Sequence, residues 1–296
     1  MMRIFMVGIL AAYPLWPADP LAKRVFHTDP ARYSSSRATH GGAGELRYQT
    51  LVGRGVLTDL NFIHRGQLMP RSSIGHHFHN TSEEMFFIFT GEAQFTVDGR
   101  TSAIPGPVGV PSRAGHSHAL YNPTDAPMEW MNINLQAPGA PAGPGVRDPT
   151  ATFDLGDDRS AAALDPKPVF MHFRIDRSLL RPVSALQGGR GTAQYRRLMG
   201  PSVYASRWAY LDHLLLPEGA TEGMHEHPGV DEIYYVMEGE GVARSGSESV
   251  TLRKGDALVM RMGEPHSIES AGGPLELLVI GLAPDKRAME TRNLNQ

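Results

Sequence analysis

Two short stretches of this chain carry the residues best suited to chemistry, and they are copies of each other. The first is His77-Phe78-His79 followed by Glu84 and Gly91. The second is His225-Glu226-His227 followed by Glu232 and Gly239. A later histidine closes each, His118 or His266, and all five pairs of equivalent positions lie 148 residues apart. One offset kept at five chemically loaded positions implies a duplicated site. Side chains alternate faces along a strand, so His77 and His79 share a face, as do His225 and His227. Two imidazoles placed this way can hold one metal ion. A hairpin through Asn80-Thr81-Ser82, or through Pro228-Gly229 in the second copy, is expected to bring Glu84 or Glu232 beside them. His118 and His266 are placed to complete each set from a more distant strand. Three neutral imidazoles and a carboxylate form a mixed nitrogen and oxygen set that favours Fe or Mn, with Zn, Ni or Cu also fitting, up to two ions per chain. Such a set leaves positions open on an octahedral ion, as catalysis requires.

The elements that must position these residues read as short strands. Segments are β-branched or aromatic and are punctuated by 32 Gly and 23 Pro, while long stripes of 3.6-residue period are scarce. The duplication extends beyond the site. His40-Gly41-Gly42-Ala43-Gly44 matches Gln187-Gly188-Gly189-Arg190-Gly191, and Pro127 to Trp130 matches Pro274 to Leu277, both at an offset of 147. Single-residue length changes therefore flank the ligand block. The glycines at 41, 42 and 44 read as a turn, because a phosphate loop needs a helix after it and strand-like residues follow here. Short helices are expected over Ser178 to Leu186, against Pro182, and near the carboxyl end.

The two motifs resemble those of the cupin family. That family's first motif has His-x-His, Glu about five residues later and Gly seven beyond, and both copies match it. Gly219 also precedes His225 as the pattern asks, where the first copy has Arg71. The second motif is looser. Pro107, Arg113, Gly115, His118 and Asn122 represent it in the first copy, and Gly255, Arg261, Gly263, His266 and Ser270 in the second. The resemblance implies an all-β fold of two tandem antiparallel jelly-roll barrels, with His77, His79, Glu84 and His118 holding one metal and His225, His227, Glu232 and His266 another. It divides the chain into an amino-terminal extension or signal (1–24), a first barrel (25–135), a linker (136–168), a second barrel (169–285) and a tail (286–296).

Within that frame Tyr234, two residues after Glu232, shares its face, where the first copy has Phe86. It is a candidate catalytic phenol, or else a packed aromatic. Arg113 and Arg261 fall near the barrel mouths if the family geometry holds. They are candidates to clamp a substrate carboxylate, or else solvated rim residues. His76 faces away from the ligands by strand parity. His116 shares the parity of His118, which is preferred because it alone keeps the offset. His64 and His213 read as structural. Asn132 and Asn134 stand where the second copy has Val279 and Gly281. They are expected to line a polar pocket or to meet a partner surface.

The resemblance implies a metal-dependent enzyme acting on a small, oxygen-rich organic molecule, either a dioxygenase-like oxidoreductase or a decarboxylase or other lyase. Two-domain cupins include oxalate decarboxylases and quercetin and gentisate dioxygenases. Sugar isomerases, epimerases and non-catalytic metal- or sugar-binding proteins of the same family are the alternatives. A net charge of −3 with no basic patch gives no reason to expect nucleic acid. No cysteine is present, so disulfides and thiolate sites are excluded. An apolar run from Ile4 to Ala12 follows Arg3 but is too short to span a membrane. The protein is expected in the cytoplasm, or exported if that run is a signal, and a homo-oligomer is compatible with the fold.

Overall fold

The computed structural model describes residues 19–140 and 151–294. Its helical pieces are single 3-10 turns, and four sheets make up two jelly-roll barrels. In the first barrel a seven-stranded sheet runs Phe173–Arg174, Val108–Ser112, Ser82–Ile88, Met128–Gln136, Leu60–Leu68, Glu45–Gly53, Ser34–Arg37. It faces a five-stranded sheet of Thr152–Asp154, Ser73–His79, His116–Tyr121, Glu92–Val97 and Arg100–Pro105. In the second barrel the larger sheet runs Val25–His27, Asp256–Met260, Asp231–Glu238, Leu275–Leu282, Trp208–Leu216, Thr192–Met199, Arg181–Ser184. Its smaller sheet is Glu248–Arg253, Glu240–Ser245, His266–Ser270, Thr221–Glu226 and Arg292–Asn293. All the ladders are antiparallel.

The apolar strands are continuous rather than alternating because both faces of the large sheets are covered. Phe86 and Ile88 point into the first barrel and pack with Phe95 and Ile104 of the smaller sheet. Met85 and Phe87 point out and join Ile233, Tyr235 and Val259 of the other barrel in a shared core. In Leu275–Leu282, Leu277 and Val279 fill the second barrel while Leu278, Ile280 and Leu282 enter the shared core. The large sheets thus lie back to back. Burial of each large side chain there contributes about 1.5–3 kcal/mol.

Three features depart from the sequence reading. The strands joined by Asn80 and Thr81 do not form a hairpin. Ser73–His79 pairs with His116–Tyr121, and Ser82–Ile88 pairs with Met128–Gln136 and Val108–Ser112, so the turn carries the chain from the small sheet to the large one. The second copy does the same. No helix spans Ser178 to Leu186. A single turn at Arg177–Leu179 gives way to the strand Arg181–Ser184, in which Pro182, unable to donate, lies at the sheet edge opposite Gln194. Nor is there a helix among the described residues of the carboxyl end, where Arg292–Asn293 is a short strand.

The barrels also trade edges. Val25–His27 pairs with Asp256–Met260 of the second barrel, and Phe173–Arg174 pairs with Val108–Ser112 of the first. From the 136–168 stretch, Thr152–Asp154 adds a strand beside Ser73–His79. From the tail, Arg292–Asn293 adds one beside Thr221–Glu226. The possible signal falls within residues 1–18, outside the described residues. No helix among the described residues is long and apolar enough to cross a membrane.

Candidate metal centres

Each centre is assembled across its barrel. His77 and His79 stand on Ser73–His79 and His118 on the neighbouring strand, with His118 directly opposite His77 in the ladder. Glu84 reaches them from the facing sheet. One donor atom from each of the four lies within 4.8 Å of the others, and all four residues are buried. His225, His227, Glu232 and His266 repeat the arrangement within the same limit. His76 and His116 take no part. His76 contacts the Ser117 hydroxyl at 2.9 Å on the other face of the sheet, and His116 meets Asp98 at 2.7 Å nearer the surface.

The donor orientation fits a metal ion. Nδ1 of His77 donates to the Gly75 carbonyl at 2.8 Å, Nδ1 of His79 meets Thr152 Oγ1 at 3.0 Å, and Nδ1 of His118 meets Ser112 Oγ at 2.7 Å. In the second centre Gly223 O, Thr291 Oγ1 and Glu264 O serve His225, His227 and His266 at 2.8, 3.1 and 2.8 Å. Tethers at Nδ1 fix the tautomer that leaves Nε2 for an ion. The Nε2 atoms of His79, His118 and His225 and Oε2 of Glu84 are buried without a hydrogen-bonding partner. Buried polar atoms are rarely left so, and a cation would satisfy them together. His118 Nε2 lies 2.8 Å and His79 Nε2 3.4 Å from Glu84 Oε2, close to one another but not aligned as hydrogen bonds.

Burial pushes the His77 imidazole down to about 2, with His118 and His40 adding to the effect. It lowers His118 and His225 as well. Burial also opposes charge on Glu84 and Glu232. The histidines facing them outweigh it and hold both carboxylates well below their ordinary range. His79, His227 and His266 are raised, because burial is outweighed there by the same carboxylates. A metal binds neutral imidazoles and an ionised carboxylate, so the lowered histidines and the two carboxylates favour it while at His79, His227 and His266 it competes with protons.

The second oxygen of each carboxylate is held differently. In the first barrel Nδ2 of Asn132 and Nδ2 of Asn134 donate to Glu84 Oε1 at 3.1 and 2.7 Å, and Asn61 Nδ2 donates to Asn134 Oδ1 at 2.7 Å. The two asparagines therefore line the first pocket. In the second barrel the Tyr210 hydroxyl donates to Glu232 Oε1. Gly281 replaces Asn134 there, and a Cβ at Gly281 would lie 2.3 Å from the Tyr210 ring. The exchange of Asn for Gly is what admits the tyrosine.

The surroundings diverge further. The first centre opens on a pocket of about 530 Å³ walled by Tyr48, Phe62, Phe86, Trp130, His64 and Asn132. His64 stacks on Phe62 at 3.8 Å, and burial lowers it to about 4. It therefore faces this pocket, whereas His213 is fully buried against Glu276 at 2.7 Å, away from the second. His40 stacks on His77 at 3.8 Å and meets Asp154 at 2.7 Å. Gly75 permits this: a Cβ there would lie 2.1 Å from the His40 carbonyl oxygen. The second centre has a pocket of about 330 Å³ lined by Tyr195, Arg197, Tyr210, Asp212 and Glu222. Arg197 pairs bidentately with Asp212 at 2.8 and 2.9 Å and lies over the Tyr210 ring.

Tyr234 is fully buried, its hydroxyl 2.9 Å from Glu232 Oε2, 3.1 Å from Glu222 Oε2 and 3.1 Å from His266 Nε2. Arg113 and Arg261 are exposed, and neither lines the pocket beside its centre. Their positions follow the ends of the strands Val108–Ser112 and Asp256–Met260, where the chain turns to solvent. Sequence reasoning passed over Glu222, Tyr210, Thr152 and Thr291, and gave His40 no role beyond the turn. For Glu222 and Tyr210 the signal was their apolar counterparts, Ile74 and Phe62. Thr152 and Thr291 are 139 residues apart, outside the repeat, and carry no such signal.

The architecture and the two His/Glu clusters define a cupin. The cupin domain family matches residues 64–134 and 213–281, and the chain belongs to that family, with two cupin domains. It is 33% identical over 99 residues to the oxalate-binding protein of Thermotoga maritima, covering 33% of this chain and 82% of that one. It is 33% identical over 89 residues to the tetracenomycin polyketide synthase protein TcmJ of Streptomyces glaucescens, covering 30% of this chain and 60% of the other. Among solved structures it resembles oxalate decarboxylase from Bacillus subtilis, with a TM-score of 0.61 and 15% identity over 91% of this chain and 78% of that one. Salicylate 1,2-dioxygenase from Pseudoaminobacter salicylatoxidans, solved in complex with gentisate, gives a TM-score of 0.63 and 19% identity over 85% and 78% of the two chains.

Proposed function

We propose that the protein is a metal-dependent enzyme whose first centre carries out dioxygenase-type oxidation of a small hydroxylated aromatic acid. The observation that carries this reading is the first pocket: about 530 Å³, opening on the His77, His79 and Glu84 side chains, with Phe62, Phe86 and Trp130 in its wall. Such walls suit a flat, largely apolar substrate body and exclude water from it. An iron or manganese ion held by the four donors would supply Lewis acidity and redox capacity.

The chain's own groups do the rest. Asn132 and Asn134 hold Glu84 Oε1, so that Oε2 is turned to the histidines. Asn132 Oδ1 is buried without a partner in the pocket wall and is placed to accept a hydrogen bond from a substrate hydroxyl. His64, directly opposite Asn132 in the ladder, is neutral at ordinary pH and offers one ring N–H and one lone pair. The likeness to a dioxygenase solved with gentisate supports the substrate class.

A second reading is decarboxylation or binding of a small dicarboxylate. It is favoured by the 33% identity to an oxalate-binding protein. Against it, among the described residues the one arginine in the first pocket's lining is Arg54, which is exposed and donates to Asn61 at 2.6 Å.

The test is oxygen uptake by iron- or manganese-loaded protein with gentisate and related hydroxybenzoates, beside carbon dioxide release from oxalate. Uptake that is lost in Glu84→Gln supports the proposal. Carbon dioxide release from oxalate, without uptake on the aromatics, would replace it with the second reading. Saturable binding of either ligand without turnover would make the protein a binding protein.

A further inference from the structure

At the second centre, one oxygen outside the His/Glu set sits at donor spacing. Neighbouring donors on an octahedral ion with bonds of about 2.1 Å lie about 3 Å apart. Glu232 Oε2 and His266 Nε2 are 2.9 Å apart. The Tyr234 hydroxyl is 2.9 Å from the first and 3.1 Å from the second, the separation of an adjacent vertex from both. Strand parity puts it there, two residues after Glu232 on the same face, and its ring is fully buried, so it has no alternative place to go.

The first centre has no equivalent. Phe86 takes that position, with its ring 5.2 Å from that of His118, and offers no donor. A second difference points the same way. Glu222, buried where the first barrel has Ile74, brings Oε2 to 3.1 Å from the tyrosine hydroxyl and Oε1 to 4.0 Å from His225 Nε2. The space beside the second centre is also smaller, about 330 Å³, and is lined by the Arg197–Asp212 pair and by Tyr210.

We propose that Tyr234 is a fifth protein donor to the metal of the second centre, through its hydroxyl oxygen, so that this centre has one open position fewer than the first, whose open positions serve substrate. The inference rests on the reading that both clusters hold metal. The hydroxyl proton lost on coordination passes to Glu222 Oε2, which lies within hydrogen-bond reach. The chain thus divides its duplicated site into a more open working centre and one more nearly filled by its own side chains.

The experiment loads the full chain with ferric iron alone and reads iron content and visible absorption together. A tyrosine oxygen on ferric iron gives a charge-transfer band in the visible and phenolate modes in resonance Raman, which imidazole and carboxylate donors do not. The double variant His77→Ala, His79→Ala isolates the second centre and should hold one iron with that band. Adding Tyr234→Phe should abolish the band while iron stays bound. His225→Ala with His227→Ala should leave iron in the first centre without the band. Iron in the second centre with no tyrosine signature, or a band that survives Tyr234→Phe, overturns the inference and leaves the metal reading intact. An empty second centre beside a filled first overturns the reading that both clusters hold metal, and the inference with it. Iron in neither centre overturns both.

Discussion

Removing one exposed hydroxyl should weaken one metal centre and leave its twin alone. Thr152 lies on the strand added beside Ser73–His79, and its Oγ1 meets His79 Nδ1 at 3.0 Å; Thr291 Oγ1 does the same for His227 Nδ1 at 3.1 Å. Both threonines are exposed. Thr→Val keeps the shape and the strand preference of the residue, so stability should move by less than about 0.5 kcal/mol. Outer partners of metal-bound histidines are worth about 10–100-fold in metal affinity. Water can reach these exposed positions and replace part of the lost bond, which places the effect near the lower limit. A tenfold loss, about 1.4 kcal/mol, is expected. Competition with a chelator, followed by metal analysis of proteins that retain a single centre, reads it directly. Thr152→Val should weaken the first centre and Thr291→Val the second. Unchanged affinity in both, or loss at both centres from one substitution, would refute the reasoning that these hydroxyls orient the imidazoles.

Two further outcomes follow from the packing around the sites. Burial alone would raise the Glu276 carboxyl, but hydrogen bonds from His213 and Arg177 outweigh it and hold it at about 2, against an ordinary 4.5. A depressed carboxylate contributes stability above its unfolded value, and that contribution is lost as pH falls from about 4.5 toward 2. It is worth about 3 kcal/mol at most. Acid unfolding of the metal-free protein should therefore steepen in that window, and Glu276→Gln should flatten it. Gly281→Ala would press a methyl into the Tyr210 ring, at a cost of about 1–3 kcal/mol in overpacking. Differential scanning calorimetry should show that loss, and metal analysis should show a weakened second centre with the first unchanged.

The site was legible to the extent that chemistry repeats in sequence. The alternation of His77 with His79 and the constant offset to His225 and His227 name a face and a copy in the sequence itself. The doubly apolar strand Leu275–Leu282 likewise announced that both of its faces are covered. What a two-residue turn does is less legible. Asn80 and Thr81 serve a hairpin or a corner equally well, and only long-range pairing selects the corner. Strands of two or three residues such as Phe173–Arg174 and Val25–His27 have no period to detect, and their partners lie far away in the chain. Thr152 and Thr291 escaped because each reaches its histidine from a segment outside the repeat. The Arg113 and Arg261 roles were drawn from motif position alone, and motif position does not say which way a rim side chain turns.

The traded edges bear on how this chain holds together as one object. Val25–His27 and Phe173–Arg174 have three and two residues, too few to stay docked as free peptides. Within one chain their docking is intramolecular, and the tether sets a local concentration in place of bulk dilution, of the order of millimolar for short linkers. This is domain swapping carried out inside a single molecule, with each half lending the other its outermost strand. Neither half is then a complete module. The two halves should therefore unfold together, and their two centres share a common scaffold even where their chemistry has parted.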